Sequence, residues 1–395
     1  MSLPSSIAAL PSRAAELREL LIRWCNQNSG SDNFTGLDIM LGLLEIQFAR
    51  LPDAIIERVP LEGTSARALS VNVRPAAPLR FLCSGHYDTV YGAEHPFQQC
   101  EPVDANTLRG PGVADMKGGL VVMLAALQAF EQTPHAARLG YEVLLSPDEE
   151  IGTPATAPVL ADAARRHRFA LVFEPARVNG DLVKSRMGTG TFTITCHGRA
   201  AHAGQARDEG RNAILELCEL LPQVDALNRE LPDVMVNIGN IKGGGPVNIV
   251  PDCAQAEINI RFAQANDGPL MLRRLQELAA PLNARDGYRV EISGHFSRPP
   301  KIATPAEEHL FTAWQACGRD LGLNFSWQHV SGGSDGNLLS AAGLPNLDGL
   351  GVRGDRLHSP DEICWLDSLV PRAQIAALFL HRLAAGEIRL APCSR

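Results

Sequence analysis

The residues able to do chemistry fall in five short clusters: His86 with Asp88 in GHYDTV, Asp115 in GVADMKGG, the adjacent pair Glu149 and Glu150 in SPDEEIG, Glu174 in FEP, and His358 in LHSPDE. Any one of them, alone, reads as an ordinary loop residue, solvated or hydrogen-bonded. Their placement changes that reading. The first four clusters sit where strands end, and the strands of a parallel sheet open on one common edge, so they would share a crevice. Carboxylates crowded in this way repel and raise one another's pKa unless cations compensate them. Two imidazoles with three or four carboxylates suit zinc, bound at about 2.0–2.2 Å, better than calcium or magnesium, and cobalt or manganese would fit the same ligands.

The elements that must position these groups follow from the hydrophobic pattern. Residues 67–73 and 79–84 read as strands, the second stopping at His86 and Asp88; 141–145 and 169–173 read as further strands, stopping at SPDEE and at Glu174. A Gly- and Pro-bearing loop over 110–119 feeds a buried helix over 120–130, and another helix covers 155–167. Helices over 14–26 and 33–50, the latter capped by Asn33 or Thr35, cover the core. Strand, loop and helix in alternation predict a doubly wound α/β sheet.

From about residue 188 the texture changes. Strands over 191–198, 234–241 and 247–262 alternate with helices over 209–221 and 269–282, the pattern of a separate α+β two-layer sandwich. After residue 298 the α/β pattern returns, with a helix over 305–321, a strand over 325–330 and a last amphipathic helix over 366–384. The expected organisation is a catalytic domain of residues 1–187 and 299–395 with an α+β domain, 188–298, inserted into it. Two domains also suit 395 residues, since a single core stops growing at roughly 250–300.

A net charge of −8 argues against a nucleic-acid partner, and no run of about 18 apolar residues predicts a membrane span. The nine cysteines (25, 83, 100, 196, 218, 253, 317, 364 and 393) stand singly, in odd number and without CxxC spacing, which suits reduced core thiols. The first twenty residues lack a basic region followed by an apolar one, so the expected location is the cytoplasm, or the periplasm if a leader has been removed.

Taken together, the motifs resemble those of the M20 metallopeptidases, most closely the glutamate carboxypeptidases of the carboxypeptidase G type. Besides the five clusters, the resemblance runs through GRAAHAG (198–204), VNIVPD (247–252) and SGGSDG (331–336), and so covers nearly the whole chain. It implies two zinc ions per subunit, bridged by Asp115, with His86 and Glu174 on one and Glu150 and His358 on the other. Glu149 would then be the general base, Asp88 would accept the second ring N–H of His86, and the Asp115–Met116 peptide would be cis. His202, in the inserted domain, would reach across a homodimer to stabilise the oxyanion in the partner's site. Arg261 and Asn248 would contact the substrate's terminal carboxylate, Lys184 its side-chain carboxylate, and Gly332, Gly333 and Ser334 would line the pocket with backbone amides.

The expected function is hydrolysis of an amide C–N bond that releases a C-terminal amino acid, glutamate in the first instance, from a peptide or N-acyl conjugate. A deacylase of small N-acyl amino acids (acetylornithine or succinyl-diaminopimelate) and a dipeptidase share the same metal set and remain alternatives. A non-catalytic binder is disfavoured, because Glu149 and every zinc ligand are present.

Overall fold

The computed structural model describes residues 3–390 of the chain, which divide into two compact units. The first comprises residues up to Ser185 with Ile302–Val330 and the segment from Ser334; the second is Arg186–Lys301 with Ser331–Gly333.

The first unit is built on an eight-stranded mixed sheet, in the order Ile55–Pro60, Arg67–Val73, Gly140–Ser146, Arg80–His86, Ala170–Val172, Asn346–Asp348, Leu182–Arg186, Trp327–Val330. Its centre is parallel: Arg80–His86 pairs in parallel with both Gly140–Ser146 and Ala170–Val172, and the latter with Asn346–Asp348. Parallel strands covered on both faces are apolar throughout, and Gly140–Ser146 is buried at every position. Helices Lys117–Glu131 and Leu369–Ala385 pack against one another in the main core with Ala14–Cys25 and Phe34–Phe48. The last of these starts as the sequence predicts, with Asn33 Oδ1 accepting from Gly36 N at 3.0 Å. A small antiparallel sheet joins Gly354–Asp355, Ile363–Trp365, Thr107–Arg109 and Glu101–Pro102.

The second unit is a two-layer sandwich with its own core. Four antiparallel strands, in the order Val234–Gly243, Cys253–Phe262, Gly188–His197, Arg289–Arg298, carry helices Ala213–Glu230 and Asp267–Asn283. Strand Cys253–Phe262 alternates between exposed or half-buried and fully buried residues along its whole length, the mark of a sheet covered on one face.

Several expectations need correction. The strand predicted over 247–262 begins only at Cys253. Pro246 and Pro251, which lack an N–H for the ladder, flank a turn there in which Ile249 N bonds Pro246 O. Ile55–Pro60 and Arg289–Arg298, which the hydrophobic pattern did not single out, are strands. The Gly-rich SGGSDG leads into a short buried helix, Asp335–Ala341. Cys218 and Cys253 are exposed rather than core thiols; the other six described cysteines are buried, and Cys393 lies outside the described residues.

Candidate metal centre

The parallel register assembles the centre. His86 pairs with Ser146 at the edge of its strand, and because Ser84 pairs with Val172, residue 86 stands level with residue 174. One strand end therefore delivers His86, its neighbour delivers the 148–150 turn, and the strand on the other side delivers Glu174. Asp115 arrives from the loop before helix Lys117–Glu131, whose entry holds a cis Asp115–Met116 peptide. His358 comes from the loop between Gly354–Asp355 and Ile363–Trp365, with its backbone in the left-handed region at φ 59°. Histidine is among the non-glycine residues that adopt that region most readily.

Asp115 lies between two imidazoles. Its Oδ1 is 3.2 Å from His86 Nε2, and its Oδ2 is 3.3 Å from His358 Nε2. Glu174 Oε1 stands 3.7 Å from His86 Nε2, and Glu150 Oε2 3.0 Å from His358 Nε2. One carboxylate thus faces two nitrogen–oxygen pairs, one through each oxygen. Ligand atoms of His86, Glu149 and Glu174 lie within 4.8 Å of one another, as do those of His86, Asp115 and Glu150. Both glutamates are therefore near His86, and Glu150 also contacts His358.

His86 is oriented from behind. Its Nδ1 is 3.1 Å from the backbone carbonyl of Asp88 and 3.3 Å from that residue's carboxylate, so Nδ1 carries the proton and Nε2 offers its lone pair to the centre. Asp88 was the expected acceptor, and its backbone carbonyl is the closer of its two groups. That carboxylate, fully buried, also accepts the backbone N–H groups of Glu149 and Glu150, both at 3.2 Å, and the Ser31 hydroxyl at 2.7 Å. Asp88 therefore ties His86 to the glutamate pair.

The electrostatics call for cations. Burial and the charge of Asp115 push Glu150 up to about 8. Asp115 and Glu150 push His358 up to about 11, and against the opposing effect of burial the two imidazoles hold Asp115 well below the usual carboxylate range. Four carboxylates (Asp115, Glu149, Glu150, Glu174) confront two histidines, and an all-N,O donor set of this composition fits divalent zinc.

Two further acids hold the loops. Glu362, almost wholly buried, accepts Ala114 N at 2.9 Å and Asp115 N at 3.0 Å on Oε1, and Gly112 N and Tyr91 Oη, both at 3.1 Å, on Oε2. Burial and the Asp115 charge push it up to about 7. Asp335, equally buried, accepts the hydroxyls of Ser146 and Thr153, both at 2.6 Å, and so brackets the SPDEEIG turn. Sequence reasoning passed over both, although each lies inside a motif quoted for its neighbours, LHSPDE and SGGSDG.

The remaining site candidates are less uniform. Lys184 Nζ is 3.7 Å from Glu308 Oε1 and 5.1 Å from the Trp327 ring centroid. Ser334 does not offer its amide as expected: its N–H is given to Asn337 Oδ1 at 3.0 Å and its buried hydroxyl to Asp348, because Ser334 caps helix Asp335–Ala341. In the second unit, Gly332 and Gly333 accept from Arg186 Nη1 through their carbonyls, at 3.2 and 3.3 Å. Arg261 Nη1 donates to Ser331 O at 2.8 Å and its Nε to Asn259 Oδ1 at 3.3 Å. Asn248 accepts Ala203 N through its carbonyl at 2.9 Å. His202 Nδ1 accepts Gly204 N at 3.2 Å, which places the ring proton on Nε2.

A doubly wound sheet with a carboxylate–imidazole cluster at its parallel strand ends, joined to an α+β sandwich, defines a metallohydrolase of two-unit architecture. The comparisons with known proteins agree. The profile of Peptidase family M20/M25/M40 matches residues 82–382, and the chain belongs to this family of metal-dependent peptidases and amidohydrolases. Carboxypeptidase G2 of Pseudomonas sp. (strain RS-16) is 27% identical over 317 residues, covering 78% of this chain and 74% of that protein. Succinyl-diaminopimelate desuccinylase of Maricaulis maris (strain MCS10) is 31% identical over 301 residues, covering 71% and 75%. Among solved structures, the M20 family metallo-carboxypeptidase Sso-CP2 from Sulfolobus solfataricus superimposes with a TM-score of 0.75 at 17% identity, covering 94% of this chain and 99% of that one. Among the described residues no helix is long and apolar enough to cross a membrane.

Proposed function

We propose that this hydrolase is a zinc-dependent carboxypeptidase that releases a C-terminal amino acid, glutamate in the first instance, from a peptide or N-acyl conjugate. The observation that carries the reading is the buried Asp115 carboxylate, one oxygen toward His86 and Glu174 and the other toward His358 and Glu150. Two divalent ions held by those side chains would lower the pKa of a bound water and polarise the scissile carbonyl.

The protein's own residues do the rest. Glu149, buried on the turn that Asp88 fixes, takes the water's proton and returns it to the leaving nitrogen. His202, with its proton on Nε2, donates to the tetrahedral oxyanion in the site of a partner subunit, in a homodimer formed through the inserted unit. Arg261, steadied by Ser331 and Asn259, presents a guanidinium fork to the substrate's terminal carboxylate, with Asn248 and the amides of Gly332 and Gly333 beside it.

A substrate panel tests the reading. The zinc-loaded protein is expected to release free glutamate from N-acyl glutamates, measured by amino-acid chromatography, faster than it cleaves N-succinyl-diaminopimelate, N-acetylornithine or dipeptides. Release of no amine from any of them would remove the hydrolytic reading. Faster release from the succinyl substrate would remove only the glutamate preference. That second reading is favoured by one observation: Lys184, the residue assigned to a side-chain carboxylate, already faces Glu308.

A further inference from the structure

Proximity alone does not separate the work of Glu149 from that of Glu150. Ligand atoms of Glu149 lie within 4.8 Å of those of His86 and Glu174, and those of Glu150 within 4.8 Å of those of His86 and Asp115. Both carboxylates are therefore within reach of a cation held at His86. A carboxylate bound to a divalent cation is a poor proton acceptor, so a general base at Glu149 needs a restraint that keeps it off the ion.

That restraint lies in the backbone of the turn that carries both glutamates. On its amide side, Glu149 N and Glu150 N donate to the two oxygens of Asp88, each at 3.2 Å. On its carbonyl side, Gly152 N donates to Glu149 O at 2.8 Å and Thr153 N to Asp148 O at 2.7 Å. The turn closes through two consecutive left-handed residues, Gly152 at φ 97° and Thr153 at φ 60°. Glycine takes that conformation freely, whereas a β-branched side chain rarely does. Among the described residues five non-glycine positions have positive φ, and Thr153 alone of them is β-branched. Such strain persists only where the surroundings over-determine it. Here a buried acid does so. Thr153, itself fully buried, donates its hydroxyl to Asp335 Oδ1 at 2.6 Å, and Asp335 Oδ2 accepts the Ser146 hydroxyl, also at 2.6 Å. Asp335 thus holds both ends of the turn, residue 146 where the strand stops and residue 153 where the chain returns. Ala155 N and Thr156 N, on Asp148 Oδ2 at 2.7 and 3.1 Å, fix the exit.

We propose that Thr153 is a positioning residue: its hydroxyl, pinned by Asp335, keeps the left-handed turn closed and so keeps the Glu149 carboxylate out of the metal ligand set while Glu150 stays in it. The proposal rests on the reading of Glu149 as general base and Glu150 as ligand. Without the hydroxyl, the strained backbone at residue 153 relaxes and Glu149 joins His86 and Glu174 as a ligand.

Cobalt-loaded protein tests the proposal, because cobalt fits the same ligands and its visible absorption weakens as ligands are added. Thr153→Val keeps the shape of the side chain and removes the hydroxyl. It is expected to bind both ions, to lose visible absorptivity, and to fall about 10–100-fold in kcat with little change in KM. Adding Glu149→Gln to Thr153→Val is expected to return the native absorptivity, and Thr153→Ser, which keeps the hydroxyl, to show the native spectrum. A native spectrum or native kcat in Thr153→Val, a spectral loss that survives Glu149→Gln, or an equal loss in Thr153→Ser overturns the proposal. Should Thr153→Val fail to fold, Thr153→Gly carries the same expectations, since glycine takes the left-handed backbone without strain. Undiminished hydrolysis by Glu149→Gln alone would remove Glu149 as the base, a failure the spectra distinguish because they report ligation and not proton transfer.

Discussion

Glu362→Ala probes the scaffold of the metal centre without touching a ligand. The side chain satisfies three buried backbone donors, Gly112, Ala114 and Asp115 N–H, and the Tyr91 hydroxyl. Tyr91 has a second acceptor in Ser359 O at 2.8 Å, so deletion orphans the three amides. At about 1–3 kcal/mol for each buried unsatisfied group, the loss is about 3–9 kcal/mol, a large part of the about 5–15 kcal/mol that holds a domain folded. One effect opposes it. The carboxyl is pushed up to about 7 from 4.5, so removing it relieves about 3 kcal/mol of unfavourable ionisation in the metal-free protein. With cations beside Asp115 that relief disappears. Glu362→Ala should therefore destabilise the metal-loaded protein more than the metal-free one. Glu362→Gln keeps one acceptor oxygen and can turn its amide toward Tyr91, so it should cost about 1–3 kcal/mol, one amide's worth. Urea unfolding followed by tryptophan fluorescence isolates the effect, because all four tryptophans (24, 314, 327 and 365) belong to the first unit. Metal content and hydrolysis are measured alongside. An alanine variant within about 1 kcal/mol of the native protein, with full metal content, would refute the assignment of Glu362 as the anchor of the Asp115 loop.

Further expectations concern the site and its surroundings. Glu149→Gln should retain both metals and lose about 10²–10⁴-fold in kcat, whereas Glu150→Gln should weaken one metal; loss of metal from Glu149→Gln, read by elemental analysis, would reverse their roles. Mixing His202→Ala with Glu149→Ala protein should restore activity if sites are shared between subunits, and confirmed heterodimers without recovery would count against sharing. His167 gives a pH dependence: buried, with Nδ1 2.8 Å from Ala163 O, it is pushed down to about 4 by burial. The unfolded chain takes up a proton near pH 6.5 that the fold refuses, so this stability is whole above about pH 6.5 and is lost as pH falls towards 4, about 3 kcal/mol at most. The stability difference between native protein and His167→Asn should shift across that window, and a constant difference would exclude the effect.

Much of the centre was legible because its ligands follow apolar runs, and an apolar run that stops at charged residues marks a strand end. Glu362 and Asp335 were not legible. Their sequence neighbours suggest surface turns, and only burial against the 112–115 loop and the SPDEEIG turn makes them anchors. Ser334 failed for a related reason, since a Gly-rich stretch gives no warning that a helix begins inside it. The Lys184–Glu308 contact joins residues 124 positions apart, beyond any local pattern.

By itself the sequence determined the residue types of the centre, the alternating α/β order and the inserted sandwich, because ligand chemistry and hydrophobic period are local properties of the chain. Tertiary structure decided the rest. The parallel register sets residue 86 level with residue 174, and the fold turns the two oxygens of Asp115 toward different histidines. Distances of a few ångströms between residues far apart in the chain depend on how whole elements pack, and no local pattern encodes them.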